Sequence, residues 1–164
     1  MPVSTAAHPE PRRSGRLIEC ALTPVHRTIL MTLYATGMRR AELANLKLGD
    51  IDSRRMVIHI RDGKGRQDRD VMLSPNLLDA LREHYRSLRK KPATWLFPGG
   101  TYHTADRPID PKVVWYACRE AAQRAGLSQR LHPHTLRHYL PFLTMSSNGA
   151  ATPWFLRMRE VVST

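Results

Sequence analysis

Three groups of residues have side chains and spacings that suit chemistry on an anion. The first is Thr36-Gly37-Met38-Arg39-Arg40-Ala41-Glu42-Leu43. Gly37 suits the left-handed end of one helix, and Arg39 then falls at the start of the next. A guanidinium there lies beside the unpaired N–H groups of a helix start, an arrangement that suits a phosphate. Glu42, one turn on, can orient an arginine from behind; the plainer alternative is an exposed arginine in an i,i+3 ion pair. The second group is the turn Asp62-Gly63-Lys64-Gly65, inside residues 53–70 with six basic residues against three aspartates. A lysine on such a tip can enter a groove or give a proton to a leaving oxygen, or simply be solvated. The third is His134-Thr135-Leu136-Arg137-His138. His134 and Arg137 share a helix face and offer a titratable donor with a fixed positive fork, which suits a pentavalent phosphate. The alternative for these histidines is a structural role. His132, His134 and His138 are close in sequence, but no carboxylate or cysteine completes a zinc set, so no metal is expected.

The charge balance supports an anionic partner. The chain has 26 Lys+Arg against 14 Asp+Glu, a net charge of +12. That excludes a generic acidic enzyme and favours nucleic acid, with double-stranded DNA as the expected partner. Arg40, Arg66, Arg86, Arg89, Lys90 and Lys91 are the expected contacts to its backbone. A basic RNA-binding protein is a weaker alternative, because aromatic residues are 7% and form no stacking cluster on the strands. Cys20 and Cys118 match no metal or redox spacing. No apolar run approaches the ~20 residues of a membrane span, and residues 1–16 lack a signal-type apolar stretch. No membrane partner is expected, and the expected location is the cytoplasm.

A single domain with its own core must hold these groups in place. Residues 1–15, rich in Pro, Ser, Ala and Arg, read as a flexible tail. A short helix is expected from Ser14 to Ala21. Thr23-Pro24 is a cap followed by a first helical residue, and Ile29, Leu30, Leu33 and Tyr34 follow at helical spacing. A helix opening near Arg39 turns Leu43 and Leu46 inward. Met56 to Ile60 reads as a strand with Met56, Ile58 and Ile60 on one face, and Arg69 to Leu73 as its return partner across the Gly63-Lys64-Gly65 turn. Ser74-Pro75 starts a helix that buries Leu77, Leu81, Tyr85 and Leu88 and ends in Arg86, Arg89, Lys90 and Lys91. Asp110-Pro111 starts another, burying Val114, Ala117, Cys118, Ala121 and Ala125, and Gly126 stops it. The class expected is α+β, mainly helical with a small antiparallel sheet.

Taken together, Tyr34-Ala35-Thr36-Gly37-Met38-Arg39 with Glu42-Leu43, then Gly63-Lys64-Gly65, then His134-Thr135-Leu136-Arg137-His138 occur in a fixed order. This closely resembles the catalytic domain of tyrosine recombinases, the phage-integrase and XerC/XerD-like family, from about Leu17 to His138. The resemblance implies DNA breaking and rejoining through a 3′-phosphotyrosyl link, a case of covalent catalysis without a cofactor. It implies that Arg39 binds the scissile phosphate, that Lys64 is the general acid for the leaving 5′ oxygen, and that His134 and Arg137 transfer a proton and clamp the phosphate. Arg40 is off register and inherits none of these roles. Double-stranded DNA and further recombinase copies assembled on it are the partners implied.

The resemblance ends at His138. The family continues into a Leu-Gly-His-type motif and a nucleophilic tyrosine, whereas this sequence runs Tyr139-Leu140-Pro141-Phe142 into an atypical tail, residues 139–164. Tyr139 lies two residues after Arg137 and is poorly placed for in-line attack. Residues 16–138 are therefore expected to be a truncated catalytic module, inactive in strand cleavage, or else a non-catalytic basic DNA-binding module. A frameshift after His138 would account for the tail.

Overall fold

A computed structural model of the chain describes residues 11–61 and 68–127. Five helices run over Pro11–Glu19 (α1), Pro24–Thr36 (α2), Arg40–Ala44 (α3), Pro75–Ser87 (α4) and Pro111–Arg124 (α5). Three strands, Ile51–Asp52 (β1), Val57–Ile60 (β2) and Arg69–Met72 (β3), form an antiparallel sheet in the order β1-β2-β3. The fold class is therefore α+β, mainly helical with a small antiparallel sheet.

Three of the helices start by one device. Thr23, Ser74 and Asp110 each accept a backbone N–H from the first turn, and a proline follows each cap. The proline's missing donor costs nothing there and its φ is already helical. α1 differs from expectation. It opens at Pro11, three residues before Ser14, because proline is tolerated in a first turn and Arg12 and Arg13 are good helix formers. Residues 11–15 are thus helical. The same helix stops at Glu19, short of Ala21, because the residue before Pro24 must be extended, and Thr23 has φ −132° and ψ 158°.

The strands also differ from expectation in one respect. Met56 is not part of β2; it has φ 55° and closes a turn between β1 and β2. That turn forms because the Asp52 carboxylate accepts the N–H groups of Arg54 and Arg55 at 3.0 and 2.9 Å. β1 is too short to show a period and was not legible as a strand. β2 and β3 pair as expected, Ile60 opposite Arg69 and Val57 opposite Met72.

Packed together are Leu17 and Ile18 of α1, Ile29, Leu30 and Leu33 of α2, Leu43 of α3, and Ile58 and Ile60 of β2. Leu77 and Leu81 of α4, Phe97, and Val114, Ala117 and Cys118 of α5 belong to the same core. Burial pushes the Cys118 thiol up to about 12, so it packs as an apolar group. α4 buries Leu77, Leu81 and Leu88 as its spacing predicts, but His84 is buried beside them while Tyr85 is only half-buried. His84 donates from Nε2 to the Leu96 carbonyl at 3.0 Å and leans on the Phe97 ring at 4.9 Å.

Candidate phosphate-binding site

The site begins at the end of α2. Thr28, Thr32 and Thr36 each return a hydroxyl hydrogen bond to the carbonyl four residues back, at 3.0, 2.7 and 2.6 Å. These bonds let a polar column sit on a buried helix face without orphaned groups. Gly37 then takes the left-handed conformation, φ 63° and ψ 19°, with its N–H on the Leu33 carbonyl at 2.9 Å. A Cβ is disfavoured there, so glycine sets the exit direction. Met38 is buried and anchors the chain between the two helices. Arg39 follows as the N-cap residue of α3, extended at φ −74° and ψ 155°.

Glu42, on the first turn of α3, organises the arginine. Its Oε2 accepts the Arg39 backbone N–H at 2.6 Å, and its Oε1 accepts Arg39 Nη1 at 3.1 Å. This is one half of a capping box; an arginine at the N-cap has no acceptor for the reciprocal bond. A second arginine reaches the same carboxylate from the sheet. Arg69 Nη1 and Nη2 donate to Oε1 and Oε2 at 2.9 and 2.7 Å, a fork-to-fork pair. Burial pushes the Glu42 carboxyl up, but the hydrogen bonds from Arg69 and the Arg39 backbone outweigh it and hold the group below its ordinary value. Glu42 is therefore ionised at neutral pH, between two guanidiniums.

A second buried carboxylate repeats the design. Asp50 accepts the Lys47 N–H at 3.1 Å and pairs with Arg61 Nε at 2.9 Å, its own side chain only 6% exposed. Arg61 follows the end of β2 and Arg69 begins β3. Arg61 and Arg69, at the two stems of the basic hairpin, are thus tied to Asp50 of the helical turn Leu48–Asp50 and to Glu42 of α3.

Of the expected site residues, the structure brings Arg39 and Glu42 together. Lys64, Arg66, His134 and Arg137 lie outside the described residues, as does Tyr139. Arg40, Arg86, Arg89 and Lys90 are exposed. Arg89 also sits over the Tyr102 ring at 5.7 Å. Lys91 has a structural engagement: its Nζ donates to the carbonyls of Tyr85 and Leu88 at 3.0 Å each and of Arg86 at 2.5 Å. It thereby closes the C-terminal end of α4, where a cation is also favoured by the helix dipole. Among the described residues, no three His, Cys, Asp or Glu side chains are grouped so as to hold a metal. None of the described helices is long and apolar enough to cross a membrane.

Sequence reasoning missed Arg69 as a partner of Glu42. The sequence signalled only the need for a partner: Arg69, Val71 and Leu73 alternate along one strand face, and Val71 and Leu73 pack inward. An arginine at an inward strand position calls for a buried countercharge.

A helical domain with a small sheet, and an arginine at the N-cap position of a short helix backed by a buried carboxylate, is the class this geometry defines. Residues 16–151 match the phage integrase family model, and the chain belongs to that family. The match passes His138, where the motif reading had ended the resemblance. The chain is 44% identical over 128 residues to y4qK of Sinorhizobium fredii, which carries an integrase/recombinase designation; that covers 78% of this chain and 40% of y4qK. It is 38% identical over 112 residues to tyrosine recombinase XerA of Thermococcus onnurineus, covering 68% of this chain and 38% of the other. The crystal structure of a XerA recombinase superposes with a TM-score of 0.70 at 28% identity, over 84% of this chain and 49% of that one. The chain therefore spans about 40% of the length of these curated relatives.

Proposed function

We propose that this chain is catalytic-domain sequence of a site-specific tyrosine recombinase acting on double-stranded DNA, in an assembly of recombinase copies. The observation that supports this most is the Arg39 arrangement: a guanidinium at a helix start, backed by a buried ionised glutamate. A DNA phosphate brought there meets a positive fork held from behind by Glu42. In this reading Arg39 and Arg137 hold the non-bridging oxygens of the scissile phosphate. His134 moves a proton at that centre. Lys64 gives its proton to the 5′ oxygen as the P–O5′ bond breaks and a tyrosine–phosphorus bond forms. Arg40, Arg66, Arg86, Arg89 and Lys90 add backbone contacts, and Lys91 does so only if it leaves the end of α4.

Within residues 138–164 the one tyrosine is Tyr139, two positions after Arg137. Residues 16–138 are proposed to bind duplex DNA. Binding of a short labelled duplex should weaken about 10³-fold or more between 50 and 200 mM salt, as six or more phosphate contacts require. Arg39→Ala should weaken binding and lower the log–log salt slope by about 1, as the loss of one phosphate contact requires. A flat salt response would defeat the DNA reading, and displacement by single-stranded RNA in preference to duplex would favour an RNA partner.

A further inference from the structure

Glu42 is saturated. Its two oxygens receive four N–H groups: Arg69 Nη1 and Arg39 Nη1 on Oε1, and Arg69 Nη2 and the Arg39 backbone N–H on Oε2. A carboxylate offers about four acceptor positions, so every one is committed. The Glu42 side chain is 6% exposed, while those of Arg39 and Arg69 are 38% and 35% exposed. A buried carboxylate with only an i,i+3 arginine would be under-compensated, and its side chain would be free to leave. The fork from β3 supplies what is lacking. It enters from a different element, 27 residues away in sequence, and fixes both oxygens at once. These two guanidiniums and one carboxylate together carry a charge of +1.

We infer that Arg69 is a positioning residue: its fork locks the Glu42 carboxylate, and the locked carboxylate holds Arg39 in the orientation that receives a phosphate. This rests on the reading of Arg39 as a phosphate-binding arginine. Arg69 acts through Glu42, so its replacement matters to DNA only while Arg39 is present. Lysine at position 69 keeps the charge but cannot form the two-pronged pair.

The test is a double-mutant cycle with the full 164-residue chain and a short labelled duplex at fixed salt, each variant's melting temperature being recorded alongside. Arg69→Lys should lose most of the affinity that Arg39→Ala loses at the same salt. In the Arg39→Ala background the same change should have almost no further effect. Additive losses would overturn the inference, since they would mean that Arg69 meets the DNA directly. So would wild-type binding by Arg69→Lys when Arg39→Ala is impaired. If Arg39→Ala itself binds like the wild type, the phosphate reading fails and the positioning role fails with it. Should Arg69→Lys not fold, Glu42→Gln answers the same question: removing a negative charge would by itself strengthen DNA binding, whereas loss of the lock weakens it. A stronger-binding Glu42→Gln would overturn the inference.

Discussion

At the scale of single residues, two histidines differ in their partners, and pH tests both: His84 has the Leu96 carbonyl, whereas His26 Nδ1 faces the Glu120 carboxylate at 3.8 Å without a hydrogen bond. Burial lowers the pKa of His84 below its ordinary 6.5, opposed by the bond to the Leu96 carbonyl and assisted by the nearby His103. Burial also lowers His26, against the pull of Glu120 and with a push from His103. A group whose folded value is depressed takes up its proton more readily when unfolded. Its stabilising contribution is full above the unfolded value and is lost as pH falls through the folded one. The melting temperature should therefore decline as pH drops from 7.5 to 5.5. His84→Gln removes one titrating group and should flatten that slope, leaving the part due to His26, while costing about 1 kcal/mol at pH 7.5 for the altered hydrogen bond. Thermal melts across that range check both effects, and an unchanged slope would refute the role of His84. Glu42 has the same sign at lower pH: its carboxyl is held down, so the clamp on Arg39 outlasts the protonation of an ordinary glutamate.

At the scale of elements, the turn from α2 to α3 decides where Arg39 lies. Gly37 and Gly126 both have positive φ, 63° and 67°. An alanine at either costs about 1 kcal/mol in the left-handed region. Only Gly37 feeds the N-cap arginine, since Gly126 closes α5 at the far end of the described chain. Gly37→Ala should lower both stability and duplex affinity, whereas Gly126→Ala should lower stability alone. Chemical denaturation and duplex titration of the two variants separate the cases. Equal affinities would show that Arg39 reaches its position without the left-handed turn.

At the scale of the whole molecule, the net charge of +12 sets how folding and binding couple. Like charges repel across the folded surface, and a polyanion relieves that repulsion while binding the native state preferentially. Duplex DNA at about 100 times its Kd should stabilise the fold by about 2.7 kcal/mol. Differential scanning fluorimetry with and without duplex reads this. The gain should shrink at high salt as affinity falls, and a duplex that leaves the melting temperature unchanged at low salt would refute the coupling.

Much of this protein was decided by local sequence. The cap-plus-proline starts at Thr23, Ser74 and Asp110 and the glycine stops at Gly37 and Gly126 are short-range devices, so helices α2, α4 and α5 were legible residue by residue. The β2–β3 pair was legible for the same reason, because alternation and turn residues are neighbours in the chain. The pairing of Arg39 with Glu42 was visible as an i,i+3 spacing. Tertiary structure alone decided the rest. β1 exists only because Ile51 and Asp52 find Ile58 and Val57 to pair with. His84 is buried only because Leu96 and Phe97 come back over α4 with an acceptor and a ring. Lys91 turns back onto α4 because the last carbonyls of that helix need donors. The tie from Arg69 to Glu42 spans 27 residues between a strand and a helix. Its charge was plain in the sequence; its partner was not, because a buried countercharge is chosen by packing in space and leaves no mark in spacing along the chain.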